Sequence, residues 1–81
     1  MKELLPVHPG EILLEEFMAP RKISIKALAE KTDISRELLV NIIKGKEPIN
    51  EQVAIRLSEF FGNSVQFWLN LEAHFDVENR L

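Results

Sequence analysis

Eighty-one residues with a formal net charge of −3 and no cysteine make a single domain, exclude disulfides, thiolate metal sites and cysteine nucleophiles, and leave a core near the lower limit of independent stability. No apolar run reaches the ~18 residues of a membrane span. The stretch MKELLPVHPGE carries acids and one Lys, which is not a signal peptide, so a cytoplasmic location is expected. Charge is unevenly placed: residues 1–19 sum to −3, residues 20–46 to +4 and residues 47–81 to −4. An acidic chain that gathers its cations in one segment fits a nucleic-acid binder that must not adhere to every polyanion.

The pattern is helical throughout, with no alternating strand signal and no repeat, and predicts an all-α domain of five helices over 1–81. Helix 1 starts near Pro9, since proline suits a first turn and Glu11 suits the positive end of the dipole. Ile12, Leu13, Glu16 and Phe17 follow at helical spacing, and Pro20 is expected to end the run. His8 is placed to help close the N-terminus of this helix. Ser24 caps helix 2, which carries Leu28 and Ala29 inward to about Lys31, and Ser35 caps helix 3, which stops at Gly45. Asn50 caps helix 4, whose stripe is Val53, Ala54, Leu57, Phe60 and Phe61. Gly62 suits the left-handed residue after that helix. Ser64 then caps helix 5, expected over about 64–79.

Helices 2 and 3, over about 24–45, read as a helix-turn-helix. A polar outer face is common to all surface helices. The singular feature is the spacing of Ala29, Asp33, Ile34, Leu39, Ile42 and Gly45. Small Ala29 lets the helices approach, and Asp33 tolerates the left-handed backbone that the turn requires. At 100° per residue Leu39, Ile42 and Ile43 point inward, with Leu38 at their edge, while Arg36, Glu37, Val40, Asn41 and Lys44 face out.

The second helix of such a unit lies in the major groove of double-stranded DNA. Arg36 matches guanine O6/N7, Asn41 matches adenine N6/N7, Glu37 accepts from cytosine N4, and Val40 offers contact to a thymine methyl. Lys26, Lys44 and Lys46 are placed for phosphates, and Ser24 and Ser35 cap the two helices that approach the duplex.

Helix 5 is more apolar than one buried face requires. Phe67, Trp68, Leu71 and Phe75 form one stripe and Val65, Leu69, Ala73 and Val77 another. One stripe covers the core and the other then needs a partner, most simply a second copy. The first set is the candidate dimer surface, although the pattern does not select which stripe faces the partner.

His8 and His74 lack the spacing of a metal site, and isolated Gly10, Gly45 and Gly62 form no phosphate loop. Neither an enzyme nor a cofactor is expected.

Three segments, His8-Pro9-Gly10-Glu11-Ile12-Leu13, Ile34-Ser35-Arg36 with Ile42, Gly45-Lys46 and Pro48-Ile49, and Phe67-Trp68-Leu69-Asn70-Leu71, resemble in order the HigA-type antitoxins. These are a branch of the lambda-repressor-like (Xre) helix-turn-helix family, and the resemblance spans about residues 7–76. It implies a compact lambda-repressor-like fold and a cytoplasmic homodimer. It also implies neutralisation of a RelE-like mRNA-cleaving toxin of the HigB type, and repression of the shared operon at a palindromic operator. Glu37, Leu38 and Val40 depart from the small polar residues usual in that family, and Asp33 replaces its usual turn glycine. Two other readings follow from these residues: a stand-alone Xre-family transcriptional regulator, or a toxin-binding protein that has lost operator affinity.

Overall fold

The computed structural model describes residues 8–80, with side chains described through residue 76. Helix α1 comprises a first turn Pro9–Ile12, a π-helical stretch Leu13–Met18 and a last turn Ala19–Arg21. It is followed by α2 (Ile25–Thr32), α3 (Arg36–Ile43), α4 (Glu51–Phe61) and α5 (Val65–Arg80).

Each helix begins where a side chain can serve an orphan N–H. The Ser24 and Ser35 hydroxyls accept from Ala27 and Leu38 N–H, both at 3.1 Å. Asn50 Oδ1 accepts from Val53 N–H at 2.9 Å and Ser64 Oγ from Phe67 N–H at 3.0 Å. His8 does the same for α1, its Nδ1 accepting from Glu11 N–H at 3.3 Å.

Pro20 does not end α1, contrary to the sequence expectation. The helix continues through it to Arg21, and Lys22 closes it in the left-handed region at φ 55°. In a regular α-helix the proline ring would press on the carbonyl four residues back. Here the preceding segment is widened to a π-helix, with Ala19 N–H reaching Leu14 C=O. Such bulges are a recognised way of absorbing a local conflict within a helix. The five-residue step also keeps Leu13 and Met18, both buried, on one side, while Leu14, Glu15 and Glu16 are exposed.

The core joins Leu13 and Met18 of α1, Leu28 and Ala29 of α2, Leu39 and Ile42 of α3, Val53, Ala54 and Leu57 of α4, and Trp68 of α5, with Ile34 and Ile49 from the loops. Phe60 and Phe61 are only half-buried. Phe17, Phe61 and Phe67 pack around Trp68, with Phe17 4.8 Å from it between ring centroids. The indole has no exposed surface, and its Nε1–H donates to Asn63 Oδ1 at 2.8 Å.

Trp68 is therefore a core residue and not part of a dimer face, while Phe75 is half-buried. At 100° per residue Trp68 shares an arc with Val65, Leu69, Glu72 and Phe75, and this arc points inward. Glu72 Oε1 accepts from Ile49 N–H at 2.8 Å, and the Phe75 ring meets the His8 ring edge-on at 6.2 Å. Phe67 and Leu71, half-buried at the edge of the core, line with Asn70, Ala73 and His74 an open depression of about 560 Å³. The two stripes drawn from the sequence are thus each split between the faces. Val77 lies beyond the residues whose side chains are described.

Gly10 is where α1 crosses α3. A Cβ built on it would overlap the Ile42 carbonyl oxygen and stand 2.8 Å from Ile43 Cα, so backbone meets backbone. Gly10→Ala is expected to cost about 2–3 kcal/mol, read as a lower urea midpoint at unchanged m-value. Asn63→Ala leaves the buried indole N–H without its acceptor and should cost about 1–3 kcal/mol in the same assay.

Candidate nucleic-acid interface

The turn between α2 and α3 is set by a residue that must adopt a left-handed backbone. Asp33 does so at φ 62°, ending α2. Buried Thr32 braces the bend: its hydroxyl donates to Leu28 C=O at 2.6 Å and accepts from Ile34 N–H at 3.4 Å. Arg56 reaches across from α4, donating to Thr32 C=O at 3.3 Å with its guanidinium 3.6 Å from the Asp33 carboxylate. The ion pair itself is exposed, so it contributes little by charge alone. The hydrogen bond to a helix-end carbonyl is the more useful contact, since it occupies one of the acceptors that α2 leaves unpaired.

The far end of α3 closes on Gly45 at φ 78°. Gly45 N–H donates to Ile42 C=O at 3.0 Å and Lys46 N–H to Asn41 C=O at 2.8 Å, the paired bonds of a Schellman ending. The His8 ring packs on this glycine, so close that a Cβ there would meet ring atoms at 3.2–3.4 Å. Helix α3 is therefore held from behind by Leu39 and Ile42, at its start by the Thr32–Arg56 brace, and at its end by Gly45 against His8.

What this leaves open is a polar stripe. Arg36, Glu37 and Lys44 of α3 are exposed, and Val40 and Asn41 are half-buried between them. Glu37, Val40, Asn41 and Lys44 follow one another at steps of three and four residues along one face. From Arg36 to Lys44 the axial length is about 12 Å, comparable with the major-groove width of about 12 Å. Ser24 and Lys26 are exposed at the start of α2, Ser35 at the start of α3, and Lys46 in the loop beyond.

Each capping serine uses an acceptor lone pair on its own helix and keeps its O–H as a donor. Together with the positive ends of two helix dipoles, these hydroxyls can serve phosphate oxygens flanking a groove. Within the described residues no cation lies at ion-pair distance from the Glu37 carboxylate, which stands alone among Arg36, Lys44 and Lys46.

Sequence reasoning located the polar face and the caps, but not the residues that brace them from a distance. Arg56 sits 24 positions from the carbonyl it holds, and Glu72 lies 23 from Ile49. Gly10 did leave a signal: a glycine inside a first helical turn is out of place unless another backbone comes close. A metal site is not formed among the described residues, and none of their helices is long and apolar enough to cross a membrane.

The helix-turn-helix family model matches residues 14–68, which hold the α2–turn–α3 unit and the Trp68 core. Antitoxin HigA-1 of Vibrio cholerae is 40% identical over 72 residues, covering 89% of this chain and 68% of that protein. Virulence-associated protein I of Dichelobacter nodosus is 36% identical over 76 residues, covering 94% and 70%. Among solved structures, antitoxin HigA of Pseudomonas aeruginosa with the higBA promoter superposes with a TM-score of 0.88 at 37% identity, covering 93% of this chain and 82% of that one. With fold, helix-turn-helix and sequence in agreement over most of its length, this chain belongs to the Xre-like helix-turn-helix family, in the group that holds the HigA antitoxins and related regulators.

Proposed function

We propose that the protein is the antitoxin of a type II toxin–antitoxin module. In this reading it binds operator DNA as a homodimer, represses its own operon, and neutralises a RelE-like mRNA-cleaving toxin of the HigB type. The observation that carries the DNA-binding part is the exposed stripe Arg36–Lys44 on a helix anchored entirely from behind, in a chain 37% identical to a HigA solved with its promoter. Arg36 reads a guanine and Asn41 an adenine. Lys26, Lys44 and Lys46 with the Ser24 and Ser35 hydroxyls hold phosphates. The toxin-binding part is supported by likeness to antitoxins, one of them an addiction module antidote protein of the HigA family from Coxiella burnetii at 39% identity.

A stand-alone regulator is the second reading. It is favoured by relatives known only as HTH-type transcriptional regulators, such as one from Escherichia coli K12 at 37% identity. Co-expression with the reading frame beside this gene separates the two. Growth rescue and co-purification are expected for the antitoxin, and a toxic neighbour left unrestrained would leave the plain regulator.

A second copy suits the Phe67–Leu71 side of α5, because the open depression there is lined by two large apolar residues. Two recognition helices about 34–36 Å apart then meet successive major grooves. Light scattering at micromolar concentration should give twice the 9.4 kDa chain mass, and Leu71→Glu should return the monomer.

Gel shifts on the upstream DNA test the operator reading. Arg36→Ala is expected to cost about 1–3 kcal/mol and relax one operator position, while Lys44→Ala weakens all sequences alike and lowers the salt slope by about one. Binding indifferent to Arg36→Ala would remove direct readout by that residue.

A further inference from the structure

Glu37 is the feature of the recognition surface that simple phosphate attraction does not explain. It lies in the first turn of α3, directly after the Ser35 cap, at the tip that enters a groove first. It is exposed, has no cation partner among the described residues, and sits inside the segment of this chain with the largest positive excess. The dipole of its own helix favours a carboxylate at this position.

A carboxylate at a groove floor can only accept hydrogen bonds. In the major groove guanine offers two acceptors, thymine an acceptor and a methyl, and adenine an amino donor beside the N7 acceptor. Cytosine alone presents an amino donor with no acceptor of its own. Guanine and thymine set only acceptors or a methyl against Glu37, and adenine offers its amino donor beside the repelling N7 lone pair.

We infer that Glu37 is a specificity-determining residue that requires a cytosine at its operator position and penalises binding everywhere else. The inference rests on the operator reading above. It gives the departure of this chain from small polar residues a purpose: Glu37 lowers affinity for bulk DNA more than for the cognate site. Val40 and Asn41, one turn further along the same face, then read the adjacent step through a thymine methyl and an adenine edge.

The test is selection from a random-sequence duplex library by the wild-type protein and by Glu37→Gln, followed by titration of the enriched duplex and its scrambled counterpart across a salt series. The wild type should enrich one invariant cytosine per half-site, and the variant should accept other bases there. Affinity of the variant for the scrambled duplex should rise about three- to tenfold, with a salt slope steeper by about one. Its affinity for the enriched duplex should change less than about twofold, so discrimination falls about fivefold. An equal gain on both duplexes would reduce Glu37 to general repulsion and overturn the inference. So would an unchanged base preference. Failure of the folded wild type to enrich any sequence would instead overturn the operator reading, and this inference with it.

Discussion

The backbone of α1 lies directly on the backbone of α3 at Gly10 and Ile42, with no side chain between them. An isolated helix of eight residues is not stable in water, so α3 takes both its existence and its direction from what it packs against. Leu39 and Ile42 supply the burial, but apolar contacts are non-directional and would tolerate rotation of the helix about its axis. A backbone-to-backbone crossing does not tolerate it. Interiors are dense enough that a displacement at this crossing is felt along the whole helix. The orientation of Arg36, Glu37, Val40, Asn41 and Lys44 is therefore decided on the side of α3 that no ligand touches.

The same logic governs the two ends. Asp33 accepts a left-handed conformation that costs most side chains roughly 1–2 kcal/mol, and Thr32 and Arg56 hold the bend that results. Gly45 adopts its positive φ freely, and the His8 ring then occupies the space a side chain would need. One end is thus fixed by hydrogen bonds and the other by close packing. Both leave the outward stripe free of ion pairs among the described residues, which suits a surface that must exchange water for DNA.

How much of this could be read from the sequence follows from the range of each interaction. The caps Ser24, Ser35, Asn50 and Ser64 were legible because each acts on an N–H three residues away. Asp33 and Gly62 were legible because the backbone they adopt limits which residues can stand there. The fate of Pro20 was not, because the π-helical stretch that accommodates it also places Leu13 and Met18 in the core, and only the finished fold shows that core. Arg56, Asn63 and Glu72 were missed for a related reason: their partners are brought near only by the finished fold. In α5 the difficulty was of another kind. Phe67 and Trp68 are both large and apolar, yet adjacent residues diverge by 100°, and composition cannot say which of the two is fully buried and which stays at the edge of the core.

In the proposed dimer, that division of α5 would tie self-association to DNA reading. Its inward arc reaches the recognition helix by two routes: Glu72 holds Ile49 in the loop that follows α3, and Phe75 packs on His8, which in turn packs on Gly45. Phe67 and Leu71 stand half-buried at the edge of that arc, beside the open depression. A helix buried along one face through Trp68 cannot roll independently of the core, so any partner seated on the outward side is fixed relative to α3 within the tolerance of those contacts. Two half-sites on one duplex demand this rigidity, since an error in the angle between recognition helices grows with the ~34–36 Å that separates them. In that proposed dimer the fully buried tryptophan would be the pivot through which a surface on one side of the domain sets the geometry of reading on the other.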